Sequence, residues 1–234
     1  MLTPSTPRRV LAEGLGTALL VAIVVGSGIA ATRLSPGDVG LQLLENSMAT
    51  AFGLTVLILV LGPVSGAHFN PVVSVVAWLE SRGSGGGTSG GQASAYAVVQ
   101  TVGAVAGAWL ANLMYDVPLT HLASTERDGW RLLLGEVVAT AGLVLVILLL
   151  VASGRAALAA PAVGAYIGAA YWFTSSTSFA NPAVTVGRMF SDSFAGIAPG
   201  SVLLFVLAQV VGAGVGLGFA RVLHPGPVAT EELA

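Results

Sequence analysis

The sequence predicts an all-α membrane protein with six transmembrane helices and two re-entrant half-helices, arranged as an inverted repeat. Composition is the first observation behind this. Hydrophobic residues make up 55% of the 234 residues and charged residues only 9%, against about 25% charged in soluble domains. Mean hydropathy is +0.87. The second observation is a set of six apolar segments long enough to span, since a span needs about 20 residues. The third is an Asn-Pro pair that occurs twice, each time heading an apolar stretch too short to cross. The net charge of −2 gives no sign of a nucleic-acid partner. There is no Cys, which excludes disulfides, thiol catalysis and thiolate metal sites. His68, His121 and His224 lie far apart and form no ligand motif, so no metal or cofactor is expected. All nine basic residues are Arg, and no function is read from that.

The first span covers about residues 10–31. It follows Pro7-Arg8-Arg9 and contains Glu13. It outruns the roughly 7–15 residues of a signal-peptide core, so it is read as a span. The others fall near 42–62, 93–115, 131–152, 157–174 and 201–222. The short stretches start near 70–80 and 181–190. Asn is a strong N-cap and Pro is favoured at the first helical position, so Asn70-Pro71 and Asn181-Pro182 announce helix starts. Half-helices at membrane depth are tolerated where protein or a cavity surrounds them. The Gly- and Ser-rich stretch 83–91 reads as a flexible linker. Arg8, Arg9, Arg82, Arg155 and Arg221 fall on one side, and Arg33, Arg127 and Arg131 on the other. This bias places both termini in the cytoplasm. Trp109, Tyr115, Trp130 and Trp172 read as interface anchors and packing.

The chain reads as one channel domain, 1–234, built from two repeats. Glu13-Gly14-Leu15-Gly16-Thr17 in span one matches Glu136-Val137-Val138-Ala139-Thr140 in span four. Gln100-Thr101-Val102-Gly103-Ala104 matches Gln209-Val210-Val211-Gly212-Ala213. The repeats cover about 8–115 and 130–222. Each holds an odd number of spans, so the second enters the membrane upside down. Such a repeat places its shared site near the midplane. The half-helices then meet head to head, and their N-termini turn unpaired N–H groups and partial positive charge toward a solute.

Ser65-Gly66-Ala67-His68-Phe69-Asn70-Pro71, the second Asn181-Pro182-Ala183, the paired Glu and the paired Gln together resemble the aquaporin (major intrinsic protein) family. The resemblance spans about residues 8–222. It implies a right-handed six-span bundle with a pore in each subunit, a homotetramer in membrane lipid, and passive flow of water or small neutral solutes. Two positions depart from the family pattern. The first motif ends in Val72 in place of Ala. Val184 stands where the family usually has an Arg directly after the second motif, and the next Arg is Arg188, one turn later. Val184 and the run from Ala170 to Asn181 resemble the bacterial aquaporins associated with arsenic resistance. That likeness implies the bacterial cytoplasmic (inner) membrane.

The resemblance makes Asn70 and Asn181 donors to the passing solute. It makes Glu13 and Glu136 acceptors for the loops before the half-helices, with Gln100 and Gln209 as further braces. An intramembrane carboxylate must face the interior and find partners. A proton relay is the rival role, disfavoured because no intramembrane Lys accompanies the two acids. His68 either lines the cytoplasmic pore wall or is tied to loop backbone. Counting from the Asn-Pro anchors without gaps proposes a constriction of Thr50, Ala169, Ser178 and Val184. Phe52 competes with Thr50, but it would require a gap inside a span. That ring is small and carries no cation, which predicts a wide pore, because diameter and lining groups set selectivity. For Arg188 the sequence favours snorkelling to headgroups or pairing with Asp192 over guarding the outer mouth.

These readings converge on a passive channel for small neutral solutes: water, glycerol, and metalloid hydroxides such as arsenous acid. An alternating-access secondary transporter is the alternative, disfavoured because no acidic coupling cluster and no broken full span appears. No nucleophile–base pair or metal motif points to an enzyme. A purely structural junction protein would not need both Asn-Pro ends.

Overall fold

A computed structural model describes residues 4–82 and 87–224. Six long helices carry the spans: α1 (Thr6–Leu34), α2 (Val39–Ser65), α4 (Gly90–Met114), α5 (Trp130–Ala152), α6 (Ala159–Phe173) and α8 (Pro199–Leu223). A 3-10 turn, Ala156–Leu158, leads into α6. The short helices α3 (Pro71–Ser81) and α7 (Pro182–Arg188) begin at the two Asn-Pro pairs. All the expected spans form, each within a few residues of its expected limits. Of the expected linker, residues 83–86 lie outside the described residues. Its far end is helical: Gly90 and Gly91 open α4, and Ser89 caps it by accepting the Gln92 N–H at 3.1 Å.

The two halves pack by the same rule. In the first, α1 lies along α4; in the second, α5 lies along α8. Both pairs close on a Gly-x-x-x-Gly stretch. A Cβ added at Gly103 or Gly107 would strike the carbonyl oxygens of Gly14 and Ala18, and one at Gly212 or Gly216 those of Val137 and Ala141. In lipid, helices associate through such close backbone approach, because hydrocarbon tails are as apolar as leucine. The tight pairs hold Glu13 and Gln100, and likewise Glu136 and Gln209, at fixed depth inside the bundle.

Large apolar side chains such as Leu11, Val60, Val102, Leu203 and Val222 are exposed. The buried polar residues include both Glu, both Gln and both motif Asn. That inside-out distribution suits a lipid solvent. The aromatic anchors Trp130 and Trp172 lie exposed, and the Trp172 indole N–H donates to Ser47 Oγ at 3.1 Å.

Candidate solute pore

Each half-helix is capped by its own Asn. Asn70 Oδ1 accepts the Val72 N–H at 3.1 Å. Asn181 Oδ1 accepts the N–H groups of Ala183 and Val184 at 3.0 and 3.2 Å. The amide nitrogens cross over. Asn70 Nδ2 donates to the Ala180 carbonyl at 2.8 Å, and Asn181 Nδ2 donates to the Phe69 carbonyl at 2.7 Å. The two helix starts therefore face each other and are bonded reciprocally. A primary amide has two N–H donors. One from each Asn is spent on the crossing bond, and one is left over.

The segments before the motifs are strained in the same way. Ala67 and Phe69 have φ of 50° and 48°, and Thr177, Ser178 and Ala180 have φ of 61°, 51° and 49°. A left-handed non-glycine residue costs about 1–2 kcal/mol. The buried carboxylates offset this. Glu13 accepts from Ser65 Oγ (2.6 Å), His68 N (2.9 Å), Phe69 N (2.7 Å) and Gln100 Nε2 (2.7 Å). Glu136 accepts from Phe179 N (2.9 Å), Ala180 N (2.9 Å) and Gln209 Nε2 (2.6 Å). Each bond to a charged acceptor is worth about 1.5–3 kcal/mol, so the two backbone bonds in each segment are large enough to offset its strain. Residues of both segments also line the cavity described below.

The same pattern extends to a hydroxyl four residues after each Asn. Gln100 Nε2 reaches Ser74 Oγ at 3.1 Å, and Gln209 Nε2 reaches Thr185 Oγ1 at 2.8 Å. Ser74 and Thr185 each donate to the carbonyl of the motif Asn, at 3.2 and 2.8 Å. These hydroxyls escaped the sequence reading, although their repeated offset from the Asn was visible there.

A cavity of about 310 Å³ runs past both Asn. Its wall includes Gly62 and Pro63 near the end of α2, the segments 66–70 and 178–181, and Thr50, Tyr171, Val184 and Arg188 at the opposite end. Thr50 to Pro63 spans about 20 Å along α2, so the cavity is elongated along the bundle. His68 lines it; its Nδ1 sits 3.0 Å from Ser74 Oγ, and its ring meets Tyr96 edge-on.

Of the proposed constriction, Thr50, Ser178 and Val184 stand on the cavity wall. Phe52 is 65% exposed on the other side of α2. Ala169 does not reach the wall, and the gap-free count is corrected there. It lies on the exposed face of α6, whose cavity face carries Ala160, Val163, Ile167 and Tyr171. Those positions recur every three to four residues, and at 3.6 residues per turn Ala169 falls opposite Ile167 and Tyr171. Tyr171 was missed. Its hydroxyl lies 3.1 Å from Thr50 Oγ1, which joins α2 and α6 across the wall.

Arg188 also departs from expectation. It is 2% exposed, so it does not snorkel. Asp192 is engaged elsewhere, accepting from Ser124 N and Oγ at 2.9 Å. The chain after α7 folds back over the arginine. Arg188 Nε donates to the Ala195 carbonyl, and its guanidinium lies 3.3 Å from the Phe179 ring centroid. Arg127, in the segment before α5, sits 5.1 Å from the same ring and donates to the carbonyls of Gly196 and Phe194. Burial pushes the Arg127 guanidinium below the ordinary arginine value, and the nearby Glu136 and Tyr171 partly oppose this.

Comparison with known proteins agrees with this geometry. The sequence profile described as "Major intrinsic protein" matches residues 1–178. The aquaglyceroporin AqpS of Rhizobium meliloti (strain 1021) is 48% identical over 214 residues, covering 92% of this chain and 89% of the relative. The chain belongs to the major intrinsic protein family. As a member, it is a passive membrane channel for small neutral solutes, and the alternating-access reading is not favoured. A glycerol uptake facilitator protein of Pseudomonas aeruginosa is 36% identical over 114 residues, covering 49% of this chain and 38% of the relative. The solved structure of the aquaglyceroporin from Plasmodium falciparum shares the fold, with a TM-score of 0.72 at 21% identity, covering 94% of this chain and 98% of that one.

Proposed function

We propose that this channel passes water, glycerol and glycerol-sized neutral hydroxides such as arsenous acid. The observation that carries the reading is the elongated cavity that passes both crossed Asn and ends at a wall of Thr50, Tyr171, Ser178, Val184 and Arg188. Val184 leaves the space that a long cationic side chain would fill. Carbonyls of the strained segments and the remaining N–H of each Asn offer polar contacts in place of the solute's hydration shell, which is how such pores select. The aquaglyceroporin and glycerol-facilitator relatives support the solute class. Asn70, Pro71, Val72 and Asn181, Pro182, Ala183 form the midplane contact, and the two Glu and two Gln brace it. The channel works as a homotetramer in a bacterial cytoplasmic membrane, with both termini on the cytoplasmic side and the whole chain acting as one channel domain.

Stopped-flow light scattering of proteoliposomes against water, glycerol, urea and arsenous acid tests this. Non-saturating flux, independent of ion gradients, is expected for glycerol. Fast water flux with glycerol excluded would overturn the wide-pore reading. Chemical cross-linking in membranes should give a tetramer band, and labelling of cysteines introduced at either terminus should occur only from the cytoplasmic side.

A further inference from the structure

Arg188 is a cation buried at the cavity wall. A guanidinium carries five N–H donors and no acceptor. Among the described residues only its Nε–H finds a hydrogen-bond partner, the Ala195 carbonyl. Among the described residues the one ion pair is Arg221 with Glu80, so no carboxylate partners Arg188. The group is nevertheless 2% exposed and lines the cavity. Burying a cation without partners is costly unless something else supplies acceptors. Its terminal nitrogens therefore need oxygen atoms from whatever occupies the cavity. Arg127 beside it is better supplied, because two of its nitrogens donate to the carbonyls of Gly196 and Phe194.

Arg188 is also held in place. The Phe179 ring supports the face of the guanidinium. That ring packs edge-on against Phe205 at 5.2 Å, and the Phe179 backbone N–H is anchored on Glu136. The Cα of Arg188 stands seven residues beyond Asn181, about 10 Å along α7, within the roughly 15 Å half-thickness of the hydrocarbon. The same end of the cavity carries the Thr50–Tyr171 hydroxyl pair and Ser178, whose buried Oγ has no protein partner.

We propose that Arg188 is the specificity-determining residue of the outer constriction, and that its terminal N–H pair selects solutes carrying two adjacent oxygen atoms, as in a 1,2-diol, against the hydroxyl wall of Thr50, Tyr171 and Ser178. The inference rests on the channel reading and deepens it. A planar guanidinium presents paired donors in a fixed fork, which suits adjacent oxygens better than isolated ones. Position 184 supplies no donor of its own, so the recognition is moved one helical turn outward along α7.

The test compares glycerol with propane-1,3-diol in proteoliposomes, after subtracting protein-free liposome leak. The two solutes share a three-carbon chain and both terminal hydroxyls, and only glycerol has the middle hydroxyl that makes its oxygens adjacent, so changes in pore width largely cancel in the flux ratio. A hydrogen bond to a charged group is worth roughly tenfold or more in such a ratio. Arg188→Met is expected to lower the glycerol-to-propane-1,3-diol ratio about tenfold. Arg188→Lys, which keeps the charge and loses the fork, should recover only part of it. Arg188→Gln supplies the measurement if the methionine variant does not fold, and it should also lower the ratio. An unchanged ratio in folded Arg188→Met or Arg188→Gln overturns the assignment while the wild type still conducts glycerol. A wild type that conducts no glycerol overturns the channel reading for that solute instead.

Discussion

Replacing Glu136 tests how the pore is held open. Its carboxylate is fully buried and accepts from Phe179 N, Ala180 N and Gln209 Nε2. The first two bonds hold a segment with Ser178 and Ala180 in the left-handed region. Glu136→Leu strands all three donors. At about 1–3 kcal/mol for each unsatisfied group, the cost is about 3–9 kcal/mol. Glu136→Gln keeps one oxygen and turns the other site into a donor. Phe179 and Ala180 bond to different carboxylate oxygens, so either amide orientation strands at least one N–H and costs about 1–3 kcal/mol. A chain of this length loses roughly 2–4 °C in Tm per kcal/mol. Thermal unfolding in detergent should therefore show a fall of about 2–12 °C for Glu136→Gln and a larger one for Glu136→Leu. Glycerol flux should fall alongside, because the released segment relaxes from φ near +50° and takes with it Ser178 and the Ala180 carbonyl that accepts the crossing bond from Asn70. Wild-type Tm and wild-type flux in Glu136→Leu would refute the argument that the carboxylate supports this segment.

Three further outcomes are expected. Asn181→Asp loses the donor to the Phe69 carbonyl and sets a carboxylate against that oxygen, so poor folding or a cation leak should follow; normal neutral flux without ion conductance would contradict the crossed-Asn geometry. Val184→Arg should reduce glycerol and arsenous-acid flux several-fold while sparing water, as measured by light scattering, because it fills the space beside Thr50 and Tyr171. Ile167→Trp should block glycerol flux whereas Ala169→Leu leaves it near wild type, and the reverse result would restore the gap-free count on α6.

Much of this protein was legible without coordinates, because a bilayer demands local solutions. A segment that crosses it must satisfy its own backbone bonds. Length and apolarity alone therefore marked α1, α2, α4, α5, α6 and α8, and the Asn-Pro pairs marked α3 and α7 through cap chemistry confined to neighbouring residues. The paired Glu and Gln could be picked out because a carboxylate at such depth must have partners. What was not legible depended on rotation and on distant chain. Which face of α6 lines the cavity follows from how α6 leans on α2 and α5. A count from Asn181 cannot carry that across the irregular segment 174–181, so Ala169 was chosen where Ile167 and Tyr171 stand. The place of Arg188 depended on a loop that returns the Ala195 carbonyl and the Phe179 ring to it, partners that no spacing rule supplies. The order of residues sets the helices, their number and the polar residues that must be buried. Which of those residues meet follows from the folded bundle, because side-chain neighbours across it are set by packing between helices, not by order along the chain.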